Sequence, residues 1–324
     1  MEYRQIGKWG LKVSALGLGT YLTIGYTCDD KTSREIVRVA YENGINYFDT
    51  ANAYNAGEAE RVLAKCLAGI PRSDLVILTK VWAPMAKGPN DTGLSAKHIR
   101  EQCDASLKRL GMEYVDIYMC HRPDPSTPLE ETMRAMEDLA RAGKILYVGV
   151  SEWPASMIMN ANELARQMGM RPIAVSQPRY NLLYRNPESL LFPVTSEQGI
   201  GNVTFSPLAH GMLTGKYKPG EEPPKNTRAS DERQNTVIKQ MYWTEENKAK
   251  SQKLVGIATE LGVSPAELAL AWCLDNPNVS SVILGASSTT QLLQNLKAAD
   301  LKLPQEIREK LEALFPLPSE AQQT

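Results

Sequence analysis

The stretch Asn46 to Asn55, NYFDTANAYN, places an acid, Asp49, at the end of a β-type apolar run and a phenol, Tyr54, a short loop beyond it. Two later apolar runs stop in the same manner, Val76 to Thr79 at Lys80 and Val115 to Cys120 at His121. Neighbouring strands of a parallel sheet lie about 4.8 Å apart, so the ends of three consecutive strands converge within roughly 10 Å. Proton transfer to a carbonyl suits such a set. A tyrosine hydroxyl ordinarily titrates near pH 10; a lysine cation beside it favours the phenolate and lowers that pKa. Asp49 holds the Lys80 ammonium by a charge-assisted hydrogen bond, which leaves Tyr54 as a general acid. His121 directs a hydrogen bond at the carbonyl oxygen. Hydride must come from elsewhere, and a nicotinamide cofactor is the expected source. Singly, each residue has a plainer reading: Asp49 as a turn residue, Tyr54 and Lys80 as solvated groups, His121 as a structural histidine before Arg122-Pro123-Asp124-Pro125. Their recurrence at successive strand ends favours the chemical reading, because barrel enzymes draw catalytic residues from the C-terminal ends of several strands.

The elements that would position them alternate along the whole chain. Apolar runs occur at Leu16 to Gly19, Ile45 to Phe48, Val76 to Thr79, Val115 to Met119, Leu146 to Val150, Ile173 to Val175, Val203 to Phe205 and Val282 to Leu284. Helical patterns fall at 32–43, 57–68, 95–109, 129–142, 155–168, 187–198 and 289–298, with two more near 245–261 and 265–275. Eight near-continuous apolar strands alternating with helices predict a (β/α)8 barrel, a single domain over 1–324. Arg4-Gln5-Ile6-Gly7 and Leu11-Lys12-Val13-Ser14 predict an N-terminal hairpin that plugs one end. Ser95 and Gly111 bracket one helix, and Thr127-Pro128 starts another. The long irregular stretch from Pro207 to about Tyr242 reads as a binding loop or a disordered segment.

Composition excludes several classes. The chain has 324 residues and a formal charge of −1, with no basic field to attract nucleic acid or an anionic membrane. Its five cysteines form no CxxC pair, and Met1-Glu2-Tyr3-Arg4 lacks an apolar leader, so a reducing, cytoplasmic setting is expected. No run approaches the roughly 20 apolar residues of a membrane helix. Gly17-Leu18-Gly19 lacks the third glycine and the acid of a dinucleotide fingerprint, Gly211 to Lys216 does not fit a phosphate loop, and His98, His121 and His210 have no metal-site spacing.

The serial motifs LGLGTY, FDTANAY, ILTK, CHRPDPSTPLEETMRAM, VGVSEW, SQPRYN, FSPLAHGMLTGKY and SVILGASSTTQLLQN resemble the aldo-keto reductases, specifically the branch related to the β-subunits of voltage-gated potassium channels. The resemblance implies a catalytic tetrad of Asp49, Tyr54, Lys80 and His121. Mammalian channel subunits have asparagine at the position of His121, so this loop is more similar to that of the enzymes. The resemblance also implies an NADP(H) site. Thr20, Ser151, Gln177 and Tyr180 would serve its nicotinamide end, and Phe205, Ser206, Pro207, Leu208, Gly211 and Lys216 its pyrophosphate. Arg228, Gly285, Ser287, Gln291, Gln294 and Asn295 would hold the adenosine and its 2′-phosphate. Phe205 stands where tryptophan is more usual and Gln294 where glutamate is often seen.

The physical reading of the last motif offers two alternatives: exposed helix amides that bind phosphate, or a capping box, Ser288-x-x-Gln291, that satisfies those amides internally. Tyr21, Trp82 and Trp153 suggest an aromatic mouth for a small carbonyl substrate. Two rival functions stay open, a Schiff-base barrel using Lys80 and a binding subunit of a channel or other assembly. A homo-tetramer is in keeping with the resemblance.

Overall fold

The computed structural model describes residues 1–318. A short antiparallel hairpin, β1 (Tyr3–Gln5) and β2 (Lys12–Ser14), precedes eight parallel strands that close into a barrel. These are β3 (Leu16–Gly19), β4 (Tyr47–Asp49), β5 (Val76–Val81), β6 (Val115–Cys120), β7 (Ile145–Ser151), β8 (Ile173–Gln177), β9 (Gly201–Thr204) and β10 (Val279–Leu284). They follow one another around the ring in chain order, with β10 closing onto β3. The barrel and hairpin expected from the sequence are both present.

Side chains alternate between the two faces of a strand, and the interior is a distinct apolar cluster of Tyr47, Val76, Leu78, Ile117, Met119, Val175, Val203 and Ile283. Ile6 and Val13 of the hairpin join it and stopper one end. Contact there is close: a Cβ on Gly7 would meet the Gly199 carbonyl at 2.3 Å, and Lys8 N–H donates to that carbonyl at 3.0 Å. The opposite strand faces build a larger second core against the helices. Continuing the inward parity past the cluster, Tyr47 leads to Asp49, Leu78 to Lys80, Met119 to His121 and Val175 to Gln177. Chemistry-bearing residues therefore crown the filled interior at the strands' C-terminal ends.

The covering helices include α1 (Asp30–Glu42), α2 (Glu58–Leu67), α3 (Ala96–Leu110), α4 (Leu129–Arg141) and α5 (Ala155–Met168). The segment expected as one helix over 187–198 is two, α6 (Asn186–Leu190) and α7 (Phe192–Gln198), because Pro193 removes an amide donor and must sit in a first turn. The irregular stretch after β9 contains α8 (Asn235–Met241), which the sequence pattern did not indicate. Then come α9 (Glu245–Glu260), α10 (Pro265–Asp275), α11 (Thr289–Leu296) and an unanticipated α12 (Gln305–Leu314). Among the described residues no single helix is long and apolar enough to cross a membrane. Residues Leu268 to Leu274 of α10 are all buried, as befits an apolar helix enclosed by its neighbours.

Candidate active site

Lys80 is fully buried at the end of β5 and spends all three ammonium donors locally. Its Nζ donates to Asp49 Oδ1 at 2.6 Å, to the Thr50 carbonyl at 2.8 Å and to the Tyr54 hydroxyl at 3.3 Å. The other Asp49 oxygen accepts from Gln177 Nε2 at 2.7 Å, so the carboxylate is held from both sides. Tyr54 packs edge-on to His121 with ring centroids 5.7 Å apart, and Tyr21 lies 5.1 Å away on its other side. The four residues expected to act together are thus in one cluster.

A left-handed turn delivers Tyr54. Asn55, Ala56 and Gly57 have φ of 47°, 51° and 85° between β4 and α2. Asn55 anchors the turn by donating to the Gly25 carbonyl at 2.5 Å. Such backbone is disfavoured for an alanine, so the turn is held by its surroundings. A Cβ on Gly57 would lie 2.7 Å from Arg109 Cδ, and Arg109 is itself paired with the buried Glu60 at 2.5 Å.

Burial dominates the electrostatics. It raises the Tyr54 pKa well above that of free tyrosine, with the Asp49 carboxylate adding in the same direction. The expected lowering by Lys80 is therefore reversed, because burial, with Asp49 and Tyr21 adding to it, disfavours the phenolate. Burial likewise lowers the Lys80 pKa against the pull of Asp49, and lowers that of His121 well below the usual histidine value, with Lys80 and Arg122 contributing. His121 is consequently a neutral ring that presents a donor to a carbonyl oxygen in its N–H tautomer. Lys80, with its donors occupied and no exposed surface, is poorly disposed for Schiff-base attack.

From this cluster a cavity of about 1280 Å³ runs to the start of α11. That exceeds the usual volume for a drug-sized ligand and has room for an elongated one plus a small substrate. Asp49, Tyr54 and His121 line it together with Tyr21 and Trp82; Ser151, Gln177, Phe205, Ser206, Pro207, Leu208 and Gly211 follow, with Lys216 beside Gly211 and Arg228 beside His210; Gly285, Ser287, Gln291 and Asn295 line it at α11. Asn295 is buried with its Nδ2 unpartnered, and a Cβ on Gly285 would meet nothing within 4 Å. An open wall and an unused buried donor fit a nucleotide there.

Several expected residues stand elsewhere. Thr20 is buried beside the cavity with its hydroxyl donating to Thr50 Oγ1 at 3.0 Å. Tyr180 is buried against Trp272, ring centroids 4.9 Å apart, and its hydroxyl donates to Glu188 at 2.9 Å. Trp153 is 2% exposed and Gln294 faces solvent; neither lines the cavity. Their orientations follow from packing behind the strands and on the outer helix face, which a linear motif does not encode. At α11 the capping alternative is realised: Ser288 Oγ accepts from Gln291 N–H at 3.2 Å, while Gln291 Oε1 accepts the Ser287 amide at 2.8 Å. The sequence reading overlooked Arg122, Glu152, Arg179 and His210, all in the wall. His210 Nδ1 lies 3.3 Å from Arg228 Nη1 and its Nε2 3.2 Å from Ser206 Oγ. Positive φ at Ser206, Ala209 and His210 turns this segment toward the cavity.

A closed parallel barrel with Asp, Tyr, Lys and His gathered at its C-terminal mouth defines a class, and the family model "Aldo/keto reductase family" matches residues 15–315. The chain belongs to the aldo/keto reductase family, which supports a reductase-type function and a nicotinamide cofactor. Among similar proteins, "Probable voltage-gated potassium channel subunit beta" of Oryza sativa subsp. japonica is 42% identical over 320 residues, covering 97% of this chain and 96% of its own length. A protein of the same name from Arabidopsis thaliana is 44% identical over 305 residues, covering 93% and 92%.

Proposed function

We propose that this protein reduces aldehydes or ketones to alcohols with NADPH. The observation that carries the reading is the Asp49–Lys80–Tyr54 chain of hydrogen bonds ending beside His121 at the mouth of the cavity. When bound, the nicotinamide cofactor would supply the hydride; Asn295, Gly285, Ser287 and Gln291 would hold its adenosine end, and Lys216 and Arg228 its phosphates. His121 donates to the carbonyl oxygen and fixes its direction. The Tyr54 hydroxyl delivers the proton to that oxygen as negative charge develops on it, and Lys80 and Asp49 hold the phenol in place. A raised pKa suits this direction: Tyr54 is protonated at neutral pH, and a developing alkoxide is a stronger base than a phenolate. The deciding experiment is oxidation of NADPH by the purified protein with a panel of aldehydes. No turnover with any of them would sink the reading.

Preference for NADPH over NADH rests on Arg228, a guanidinium suited to paired hydrogen bonds with phosphate. Its present partner is the ring nitrogen of His210, a neutral acceptor that leaves the positive charge uncompensated. Arg228→Ala is expected to weaken NADPH binding about tenfold or more and to change NADH binding little, read by tryptophan fluorescence titration. Equal losses for the two cofactors would defeat the assignment.

A second reading, a subunit of a channel or other assembly, draws support from the names of the relatives at 42% and 44% identity. It is compatible with reductase activity. Size-exclusion chromatography with light scattering tests the tetramer that this reading favours.

A further inference from the structure

Arg122 directly follows His121, so its side chain starts about 3.8 Å along the backbone from the residue that directs the carbonyl. It lines the same end of the cavity as Tyr54, Tyr21 and Trp82. Among the described residues its one hydrogen bond is to the His121 carbonyl, from Nη1 at 3.2 Å. Among the described residues it has no carboxylate in ion-pair range. Five N–H donors on a fixed planar fork are thus met by a single neutral acceptor.

The nearest acid in sequence is committed elsewhere. Asp124 Oδ2 accepts from Leu94 N–H at 2.7 Å and from Thr127 Oγ at 2.7 Å, while Oδ1 accepts from the Ser126 amide at 3.0 Å and its hydroxyl at 2.5 Å. These bonds hold the Asp124 carboxyl below the usual range and tie down the loop that carries Arg122. Asp49 is already shared by Lys80 and Gln177. Glu152 accepts the Arg179 amide at 2.7 Å, and Asp29 caps α1 by accepting from Thr32 N–H at 2.7 Å. Arg122 moreover repels the charged forms of Lys80 and His121. A cation placed beside a buried ammonium without a counter-charge is costly unless a ligand brings one.

We propose that Arg122 is a receptor for a substrate anion, and that the carbonyl compounds this site takes carry a carboxylate. The inference rests on the reductase reading above. It assigns the other cavity cations no share: Arg228, bonded to His210 and near Tyr21, and Lys216 beside Gly211 are given to the cofactor phosphates in that reading, Arg233 is paired with Asp231 at 2.8 Å, and the Arg179 guanidinium is stacked 3.6 Å over Tyr184. A guanidinium grips a planar carboxylate with two parallel hydrogen bonds, which fixes orientation as well as affinity.

The test compares 4-carboxybenzaldehyde with its methyl ester, two aldehydes of equal reach that differ in charge, using the intact protein and NADPH. Wild type is expected to favour the acid at least tenfold in kcat/KM, mainly through KM. In Arg122→Gln the acid-to-ester ratio falls at least tenfold, and in Arg122→Lys it falls less, because the charge stays and the fork is lost. Using the ratio removes any effect of Arg122 on Tyr54 that both aldehydes share. No preference in wild type, an unchanged ratio in Arg122→Gln, or no turnover of either probe while other aldehydes are reduced overturns the anion receptor and leaves the reductase standing; absence of turnover across the aldehyde panel overturns both.

Discussion

Tyr54 carries the proton, and its surroundings decide in which state it waits. With the pKa raised by burial and by Asp49, the neutral phenol persists through the physiological range, so carbonyl reduction is expected to hold steady between about pH 6 and 9. A pH–rate profile falling with an apparent pKa below about 9 would restore the lowered-pKa mechanism. Tyr54→Phe removes the donor while keeping the ring that packs on Tyr21 and His121. It should cost on the order of 10² to 10⁴ in kcat with NADPH affinity retained; a variant within threefold of wild type would take Tyr54 out of the chemistry. The residue types and their strand-end positions were legible because inward parity is a property of sequence spacing. The direction of the Tyr54 shift was not, since it depends first on how deeply the folded loop buries the hydroxyl and then on the nearby Asp49 carboxylate. Arg122 and His210 were illegible for a related reason: each is polar and follows a strand, and only the folded loop shows whether such a side chain meets solvent or the cavity.

At the level of elements, one buried carboxylate ties three of them together. Glu60 on α2 is wholly buried, accepts the Thr79 hydroxyl of β5 at 2.5 Å and pairs with Arg109 of α3 at 2.5 Å. Thr79 adjoins Lys80, and Arg109 fills the space a Cβ would need at Gly57, so this cluster underlies both sides of the tetrad. Removing one partner of a buried pair strands the other charge, at a cost of about 3–5 kcal/mol. Glu60→Ala should therefore lower the urea midpoint by a correspondingly large step, and a loss under about 1 kcal/mol would mean that water replaces the carboxylate. The sequence pattern passes over this network because a glutamate in the first turn of a helix reads as a solvated group favoured by the helix dipole. It also misses α8, a seven-residue helix with Ile238 as its one buried residue and hence no apolar period. By contrast α12 had readable signals, Pro304 before its start and buried Ile307 and Leu311 one turn apart. The strand start at Val279 was obscured by Ser280 and Ser281: the ladder skips Ser280 at a register shift, and Ser281 pairs with Val203 and donates to the Ser14 carbonyl at 2.8 Å.

For the molecule as a whole, all three histidines, His98, His121 and His210, are shifted the same way. Burial is the leading cause in each case, with Lys80 and Arg122 adding to it at His121 and Arg228 and Arg179 at His210; the His210 pKa falls to about 3. A histidine whose folded pKa is depressed stays neutral in the native state while the unfolded chain takes up a proton near pH 6.5. Stability then falls as pH drops below that value, until the folded pKa is reached. For His210 alone the loss between pH 7 and 5 is about 2 kcal/mol. Carboxylates whose folded pKa is held low, such as Glu163 and Asp231, add to the slope only toward pH 5, so in the upper part of the window the slope of unfolding free energy against pH counts mainly histidine protons. Urea unfolding at closely spaced pH values between 7 and 5 measures it. Replacing His210 by glutamine keeps an acceptor for Arg228 and a group for Ser206 but removes the titration, and should reduce the slope by close to one proton. A slope identical to that of wild type would show that His210 protonates in the native protein, and that Arg228 moves away from it as it does.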